Sequence, residues 1–241
     1  MAFKYKLGLK KSQVDSRDVK LCVPHNMILP IKHEIPIIRC MYNQLDLNSC
    51  SSNVICNQIM SLKDYTDNNY PSRLFQYYVS RQIVGNENND DGCTYRDAYQ
   101  GLAMFGFTDE QLCPYDSSKV FDKPSQEAYE KANKTLVKTY KSLIHSAYAI
   151  KYAISHNIPV ACGIMIYENF IPDDNFIIPL PAGEMQGGHA MTIISYNDET
   201  RLFKVQNSWG IEWSDKGCCF MHYEHILNPE WCFELWVITK E

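Results

Sequence analysis

The sequence lacks any stretch that is long and apolar enough to cross a membrane. Its most apolar segment, residues 158–167, is far shorter than the roughly 20 residues that a transmembrane helix needs. The first residues alternate cationic and apolar side chains, and no apolar run follows them, so the sequence shows no secretory signal. We therefore expect a protein of the cytoplasm.

An excess of positive charge is also missing. The 241 residues include 23 Lys and Arg against 28 Asp and Glu, a formal net charge of −5, and there is no long basic run. Because binding to nucleic acids and to anionic membranes depends on clustered positive charge, neither is an expected partner. Internal repeats and low-complexity tracts are absent as well, and 45% hydrophobic residues indicate an ordinary globular protein.

Ten cysteines stand out among the residues that are present. This number is too low for a small disulfide scaffold, and thiols stay free by default in a reducing compartment. The best candidates for a metal site are Cys218, Cys219, His222 and His225. Adjacent cysteines do not have the spacing of structural zinc sites, and neighbouring residues of a strand face opposite ways. We therefore expect neither a metal nor a cofactor.

The first half of the chain has the periodicity of helices. Apolar residues recur at helical spacing between residues 48 and 115, and a helix is predicted from Thr94 to Phe105, ended by Gly106. The polar residues 85–92 are typical of a surface loop. Residues 116–140 are also polar, and we expect them to be exposed.

The second half is dominated by strand patterns. A predicted helix near residues 142–156 leads into an apolar run that is typical of a buried strand, at residues 159–166. Further strands are predicted at residues 190–196, 202–206, 218–223 and 233–238. A helical first half followed by a β-rich second half predicts a fold of the α+β class.

Three segments carry residue types that suit nucleophilic catalysis. A polar loop places Cys50 at the start of a predicted helix, where unpaired N–H groups and the helix macrodipole favour a thiolate. His189 follows two glycines at the head of an apolar strand, and Asn207 leaves another strand just before Trp209. Taken singly, each feature is more often structural: a buried thiol, a histidine satisfied by its neighbours, or an asparagine that caps a turn.

Together, these segments resemble the papain family of cysteine peptidases. That family has a glutamine six residues before the nucleophilic cysteine, then a Gly-His strand start, then an Asn-Ser-Trp-Gly motif. The corresponding residues here are Gln44, Cys50, His189 and Asn207–Gly210. The separations from Cys50 to His189 and Asn207 are 139 and 157 residues, near the family's usual range of about 130–150.

The resemblance extends over nearly the whole chain. It begins at Asp15–Arg17, which is like the family's mature start, and it reaches the last predicted strand. Other segments resemble the compact branch of the family without a long propeptide, which occurs in microbes and large DNA viruses: Pro71–Phe75, Pro114–Tyr115 and Asp215–Gly217. A virion or a host compartment becomes an alternative location if the protein is viral.

The family fold implied by this resemblance has two lobes with the active-site cleft between them. We assign residues 1–241 to a single papain-like unit. A mainly helical lobe at residues 25–140 would carry the candidate nucleophile. A mainly β lobe, made of residues 141–241 together with residues 1–24, would carry the candidate histidine and asparagine.

The resemblance also implies a role for each motif residue. Cys50 would attack a peptide carbonyl as a thiolate, paired at rest with the imidazolium of His189, which then acts as acid and base. Asn207 would orient the imidazole, and Trp209 would cover that hydrogen bond. Gln44 would donate to the developing oxyanion. The expected protein is a monomeric cysteine endopeptidase whose partners are peptide or protein substrates.

The family pattern is incomplete around the nucleophile and the substrate. Leu47 replaces a disulfide cysteine of the family, and Ser51 replaces the usual aromatic residue after the nucleophile. Many members pair a Gly-Gly sequence with the substrate backbone, but here it is Gly92-Cys93. The candidate substrate-binding residues are Gly92, Cys93, Gly188 and Trp209.

These departures leave alternatives to an active peptidase. One is a catalytically weak or inactive homologue that binds peptides or a partner protein in the cleft. An acyl-transfer enzyme would use the same catalytic residues, but the Asn-Ser-Trp-Gly motif favours the peptidase. A further hypothesis concerns residues 1–14, which are rich in Lys and apolar side chains. We expect this segment to block the site partly until it is trimmed.

Overall fold

Most helices in the described part of the chain precede the strands of its second half. The computed structural model describes residues 4–36, 42–62, 70–135, 137 and 139–239. In these ranges the α-helices are α1 (Cys50–Leu62), α2 (Arg73–Gln82), α3 (Tyr95–Phe105), α4 (Gln126–Ala132), α5 (Ala147–Ser155) and α6 (Tyr223–Leu227). The strands are β1 (Leu9–Lys10), β2 (Lys32–Glu34), β3 (Cys93–Thr94), β4 (Tyr140–Ser142), β5 (Val160–Tyr167), β6 (Ile177–Ile178), β7 (Met185–Asn197), β8 (Leu202–Gln206), β9 (Cys218–His222) and β10 (Cys232–Ile238). The predicted α+β class is confirmed.

One large sheet occupies the second half of the described chain. Its strand order is β4-β10-β5-β7-β8-β9-β6, and β2 pairs in addition with β7. The long strand β7 pairs antiparallel with β5 over most of its length and with β8 near its end. The predicted strand at residues 190–196 lies within β7, which begins earlier, at Met185. Pairing with β5 carries the strand through Gly187 and Gly188 in spite of their low strand propensity.

Helix α1 lies against this sheet and is buried nearly all round. Its apolar residues Val54, Ile55 and Ile59 belong to a core cluster that also includes residues of β5, β7 and β10. Even its polar Gln58 is buried, and the Gln58 Nε2 donates to the carbonyl oxygens of Pro159 and Trp236. These bonds satisfy a side-chain amide that would otherwise be costly to bury. The sheet therefore holds α1, and with it the helix N-terminus, in a fixed place.

The predicted helix from Thr94 to Phe105 is confirmed, with Thr94 as its N-cap. The Thr94 side chain accepts from the Asp97 N–H and the Asp97 carboxylate accepts from the Thr94 N–H, which is a capping box. Gly106 ends the helix with a φ of 75°, a conformation that glycine adopts without strain. The cap keeps the short strand β3 in line with the start of α3.

Two expectations about local structure were wrong. The helix near residues 142–156 begins only at Ala147, because residues 140–142 form β4 and pair with β10. Residues 116–140 are not uniformly exposed, because they contain α4, whose Ala128 and Ala132 are buried against Phe75. In both cases a contact with a distant part of the chain decides the structure.

The arrangement of the lobes is less simple than a division at residue 140. Strand β2, within the segment assigned to the helical lobe, pairs with β7 in the large sheet. Strand β1, from the segment assigned to the β lobe, pairs with β3 beside the helices. The proposed lobe boundaries stay a prediction. None of the helices in the described ranges is long and apolar enough to span a membrane.

A fully buried arginine organises the loop between α2 and β3. Arg81 donates to the carbonyl oxygens of Glu87 and Asn89 at 2.9 and 2.8 Å, and to that of Val120 at 2.5 Å. Its guanidinium also lies over the ring of Tyr77, with 4.1 Å to the ring centroid. The Arg81 side chain thus attaches the predicted surface loop at residues 85–92 to helix α2.

We expect Arg81→Met to destabilise the protein by about 3 kcal/mol, because it removes the donor from three backbone carbonyl groups, of which that of Val120 is buried. Denaturant unfolding followed by circular dichroism measures the effect. Arg17→Met is the matched control, because the Arg17 side chain is 84% exposed and little change is expected. Equal stability of the two variants would show that Arg81 is not needed for the loop.

Candidate active site

Three elements bring the candidate catalytic residues together. Cys50 is the first residue of α1, which packs against β7. His189 lies in β7, where it pairs with Ile164 of β5. Asn207 directly follows β8, and the antiparallel pairing of β8 with β7 brings it beside the histidine. Residues far apart in the sequence therefore meet because the start of α1, the middle of β7 and the end of β8 meet.

A hydrogen bond from His189 to Asn207 fixes the state of the imidazole. The His189 Nε2 lies 2.7 Å from the Asn207 Oδ1, which also accepts from the Ser208 N–H. Because an amide oxygen only accepts, the Nε2 of the histidine must carry a hydrogen. In a neutral ring the Nδ1 is then an acceptor, and this buried atom has no hydrogen-bond partner in the described part of the chain.

Trp209 covers this hydrogen bond. Its ring stacks on the His189 ring with 4.7 Å between the centroids and 25° between the planes. Trp209 itself is only 6% exposed, and Trp213 packs against it edge-on at 5.2 Å. The indole thus shields the histidine and the asparagine, and the functional role that the resemblance implies for Trp209 stays a prediction.

Gln44 is held so that its amide nitrogen points into the cleft. Its Oε1 accepts from the Ser208 Oγ at 2.7 Å, so the Nε2 of the amide faces the other way. The Nε2 donates to the Leu47 carbonyl at 2.8 Å and to the Lys6 carbonyl at 3.2 Å. The Gln44 amide therefore already donates to a peptide carbonyl, which is the chemistry expected of an oxyanion donor.

Ser51, which follows the nucleophile, contacts Cys93. We call residues 92–93, which the resemblance places along the substrate backbone, the substrate strip. The Ser51 Oγ lies 3.0 Å from the Cys93 Sγ, and both side chains are buried. Burial raises the pKa of the Cys93 thiol to about 12. The two departures from the family pattern are thus neighbours. Nine cysteines are described and all of them carry free thiols, while Cys40 lies outside the described residues.

The N-terminal part of the chain lies in the cleft. We call residues 5–10 the cleft segment. The Tyr5 ring stacks on Trp209 with 4.1 Å between the centroids and 6° between the planes. The Cys93 N–H donates to the Gly8 carbonyl at 3.1 Å, and β1 pairs in parallel with β3. The cleft segment thus adds a strand to the predicted substrate strip.

The cleft segment approaches the walls of the cleft closely. A Cβ atom on Gly8 would lie 2.0 Å from the Asn48 carbonyl oxygen, so this position accepts only glycine in the present arrangement. On the opposite wall, a Cβ on Gly188 would lie 2.3 Å from the Leu9 carbonyl oxygen. The structure therefore places all four predicted substrate-binding residues against the cleft segment, by direct bond or close approach: Gly92, Cys93, Gly188 and Trp209.

Burial of the site favours neutral forms of the cysteine and the histidine. Loss of solvent raises the pKa of Cys50 to about 11, although backbone groups of Ala190 and Gly8 oppose this. Loss of solvent lowers the pKa of His189 to about 4, although the bond to Asn207 opposes this. The expected thiolate–imidazolium pair is therefore not the form that the filled cleft favours, because the cleft segment excludes the water that would solvate both charges.

Several contacts of the site were not found by sequence reasoning. Tyr115 donates to the Gln44 carbonyl at 2.9 Å and lies 2.6 Å from the Ser49 Oγ. Ser208, within the Asn-Ser-Trp-Gly motif, orients Gln44 by the bond described above. Adjacency to a motif could have pointed to Ser208, and the segment Pro114–Tyr115 resembles the family without indicating a contact with Gln44.

No metal centre is formed by the described residues. Among them, no group of three or more His, Cys, Asp and Glu side chains is arranged to hold a metal ion. Cys218 and Cys219, which were weighed as zinc ligands, are both buried in β9. Burial raises the pKa of the Cys218 thiol to about 11.

A cysteine at a helix start, with a histidine and an asparagine from neighbouring strands, is an arrangement typical of papain-type cysteine peptidases. Residues 42–232 match the family model described as papain family cysteine protease. The chain belongs to this family. Family membership supports cysteine peptidase activity in general terms.

Known proteins from several sources are similar to this chain. A peptidase C1-like protein of Acanthamoeba polyphaga mimivirus is 29% identical over 214 residues, which cover 82% of this chain and 69% of that protein. Cathepsin B-like cysteine proteinase 3 of Ostertagia ostertagi is 36% identical over 151 residues, 59% of this chain and 87% of that protein. The crystal structure of xylellain, a cysteine protease from Xylella fastidiosa, matches with a TM-score of 0.92 and 27% identity over 100% of this chain and 98% of its own. The predicted resemblance to compact papain-like peptidases is confirmed.

We expect alkylation of Cys50 to depend on pH in a way that reports the filled cleft. Only the thiolate reacts, so a thiol whose pKa is raised to about 11 should react slowly near neutral pH and faster as the pH rises toward that value. Iodoacetamide labelling followed by mass spectrometry of the Cys50 peptide measures the rate. Exposed Cys22 serves as the internal reference. Rapid labelling of Cys50 at neutral pH would contradict a closed site.

Proposed function

We propose that the protein is a cysteine endopeptidase that hydrolyses peptide bonds through a thioester acyl-enzyme on Cys50. The observation that carries this proposal is the path of the cleft segment. Tyr5 lies beside Trp209 and Leu9 lies beside Cys93, so a continuous chain passes the nucleophile on both sides. A cleft that takes chain on both sides of the nucleophile suits cleavage within a polypeptide.

The proposed reaction uses the tautomer set by Asn207. The Nδ1 of His189 takes the thiol proton of Cys50, and the thiolate then adds to the substrate carbonyl. The imidazolium donates this proton to the leaving amine as the C–N bond breaks, which leaves a thioester on Cys50. A water molecule, deprotonated by His189, then attacks the thioester and releases the acid and the free thiol.

Two donors are available for the oxyanion of each tetrahedral intermediate. One is the Gln44 Nε2, which donates to the Lys6 carbonyl in the filled cleft. The other is the backbone N–H of Cys50, which has no partner within α1 because it lies in the first turn. Each such donor is worth roughly 100- to 1,000-fold in rate in comparable sites.

The cleft segment also supports a proposal about restraint. It covers Cys50 and His189, both fully buried, and it uses the donor that the substrate carbonyl would need. Residues that follow it are anchored on the rim, where the Ser12 N–H donates to Glu234 at 2.7 Å and Arg96 donates to the Gln13 carbonyl at 2.5 Å. In this proposal the peptidase acts only after the cleft segment leaves the cleft, and water then stabilises the reactive thiolate.

Replacing the nucleophile tests the activity itself. In the chain trimmed of residues 1–14, we expect Cys50→Ala to lower hydrolysis of fluorogenic peptides by on the order of 1,000-fold or more, because no other group can form the acyl-enzyme. Cys22→Ala is the matched control, because Cys22 is exposed and outside the cleft. Undiminished hydrolysis by Cys50→Ala would refute the mechanism. If the trimmed chain that retains Cys50 binds peptides without turnover, the result would favour the inactive homologue instead.

A single methyl group in the cleft segment tests the restraint. We expect Gly8→Ala to raise the kcat/KM of the full-length chain at least severalfold, because the new Cβ meets the Asn48 carbonyl at 2.0 Å and expels the segment. Lys11→Ala is the control, since this nearby side chain is exposed. Removal of residues 1–14 should activate to a similar degree. Unchanged activity in both Gly8→Ala and the trimmed chain would contradict the restraint.

A further inference from the structure

A hydrogen-bond network around the Asp90 carboxylate lies beside the nucleophile, outside the catalytic motifs. The Asp90 Oδ1 accepts from the backbone N–H of Asn48 at 3.0 Å, and the Asp90 Oδ2 lies 3.3 Å from the same nitrogen. In return, the Asn48 Nδ2 donates to the Asp90 carbonyl at 2.6 Å. Asn48 stands two residues before Cys50, so Asp90 holds the loop that ends at the nucleophile.

The same carboxylate also reaches the substrate strip. The Tyr77 hydroxyl donates to the Asp90 Oδ1 at 2.5 Å, and it accepts from the Gly92 N–H at 3.1 Å. Burial and the bond to Asp90 raise the pKa of Tyr77, so its hydroxyl stays a neutral donor. Gly92 precedes Cys93, whose N–H pairs with the chain in the cleft. We call this network the Asn48–Asp90–Tyr77 clasp.

The loop that carries Asp90 is held to helix α2 by hydrogen bonds. Arg81 fixes the carbonyl groups of Glu87 and Asn89, which come just before it. The family resemblance places a disulfide cysteine at Leu47, and no disulfide is present among the described cysteines. A clasp of charge-assisted hydrogen bonds therefore joins these two loops next to the position that lacks the covalent link.

We propose that Asp90 is a positioning residue that sets the nucleophile loop and the substrate strip at a fixed separation. This inference rests on the proposed peptidase function. Asp90 acts on the reaction through Asn48 and Tyr77, and it need not touch the substrate. Its link to Asn48 controls where the thiol and the oxyanion donors lie, which affects kcat. Its link to Tyr77 controls the strip that pairs with the substrate backbone, which affects KM.

The test compares variants of the full-length chain that also carry Gly8→Ala to open the cleft. We expect Asp90→Ala to lower kcat by on the order of 10- to 100-fold, because small displacements of reacting groups have effects of this size. Tyr77→Phe keeps the link to Asn48, so it should raise KM severalfold with a smaller change in kcat. Asp90→Asn retains one acceptor oxygen and should fall between Asp90→Ala and the unmodified residue. Asp91→Ala is the matched control, an adjacent carboxylate that is exposed.

Hydrogen exchange supplies a readout that does not depend on turnover. Asp90→Ala should accelerate exchange in residues 47–50 and 92–94, whereas Tyr77→Phe should accelerate it in residues 92–94 alone. Unchanged kcat and exchange in Asp90→Ala would overturn the clasp, and so would equal effects in Asp91→Ala. If the Gly8→Ala background hydrolyses no peptide, the proposed function fails, and the exchange pattern still decides the clasp. If Asp90→Ala does not fold, Asp90→Asn gives the same comparison.

Discussion

The packing of α1 against the large sheet is the contact on which the site depends. Val54, Ile55 and Ile59 bury the helix against β5, β7 and β10, and Gln58 donates to the backbone carbonyls of Trp236 in β10 and of Pro159 just before β5. A cysteine at the start of this helix has no freedom to move away from β7. Because His189 belongs to β7, the distance between thiol and imidazole is a property of the core and not of the loops around it.

Water is the second determinant of the site. A thiolate and an imidazolium both need solvation. In a cleft filled with water, Cys50 and His189 would therefore favour their charged forms. With the cleft segment in place, both groups are fully buried and the neutral forms are favoured. In the proposed restraint, blocking the cleft and disfavouring the reactive ion pair are therefore one physical event.

Hydrogen bonds, most of them to backbone groups, hold the loops and side chains around the site in place. Arg81 braces the loop at residues 85–92, Ser208 braces Gln44, and Asp90 braces the residue two positions before the nucleophile. The described cysteines are free, so none of these braces is covalent. Such bracing is strong only where water is excluded, which explains why the polar groups involved lie within the protein interior or at its edge.

Some features were readable from the sequence and others were not. Residue types and local periodicity determined the α+β class, the strand β8 and the helix that ends at Gly106. The resemblance to a known family singled out the motif residues Gln44, Cys50, His189 and Asn207. These depend on contacts within a few residues or on the chemistry of single side chains. Only the tertiary structure decided the filled cleft, the raised pKa of Cys50, the Ser51–Cys93 contact and the hydrogen bond between Asn48 and Asp90. Each of these joins residues about 40 or more positions apart, and only the packing of α1, the sheet and the N-terminal segment sets which distant groups meet and whether water lies between them.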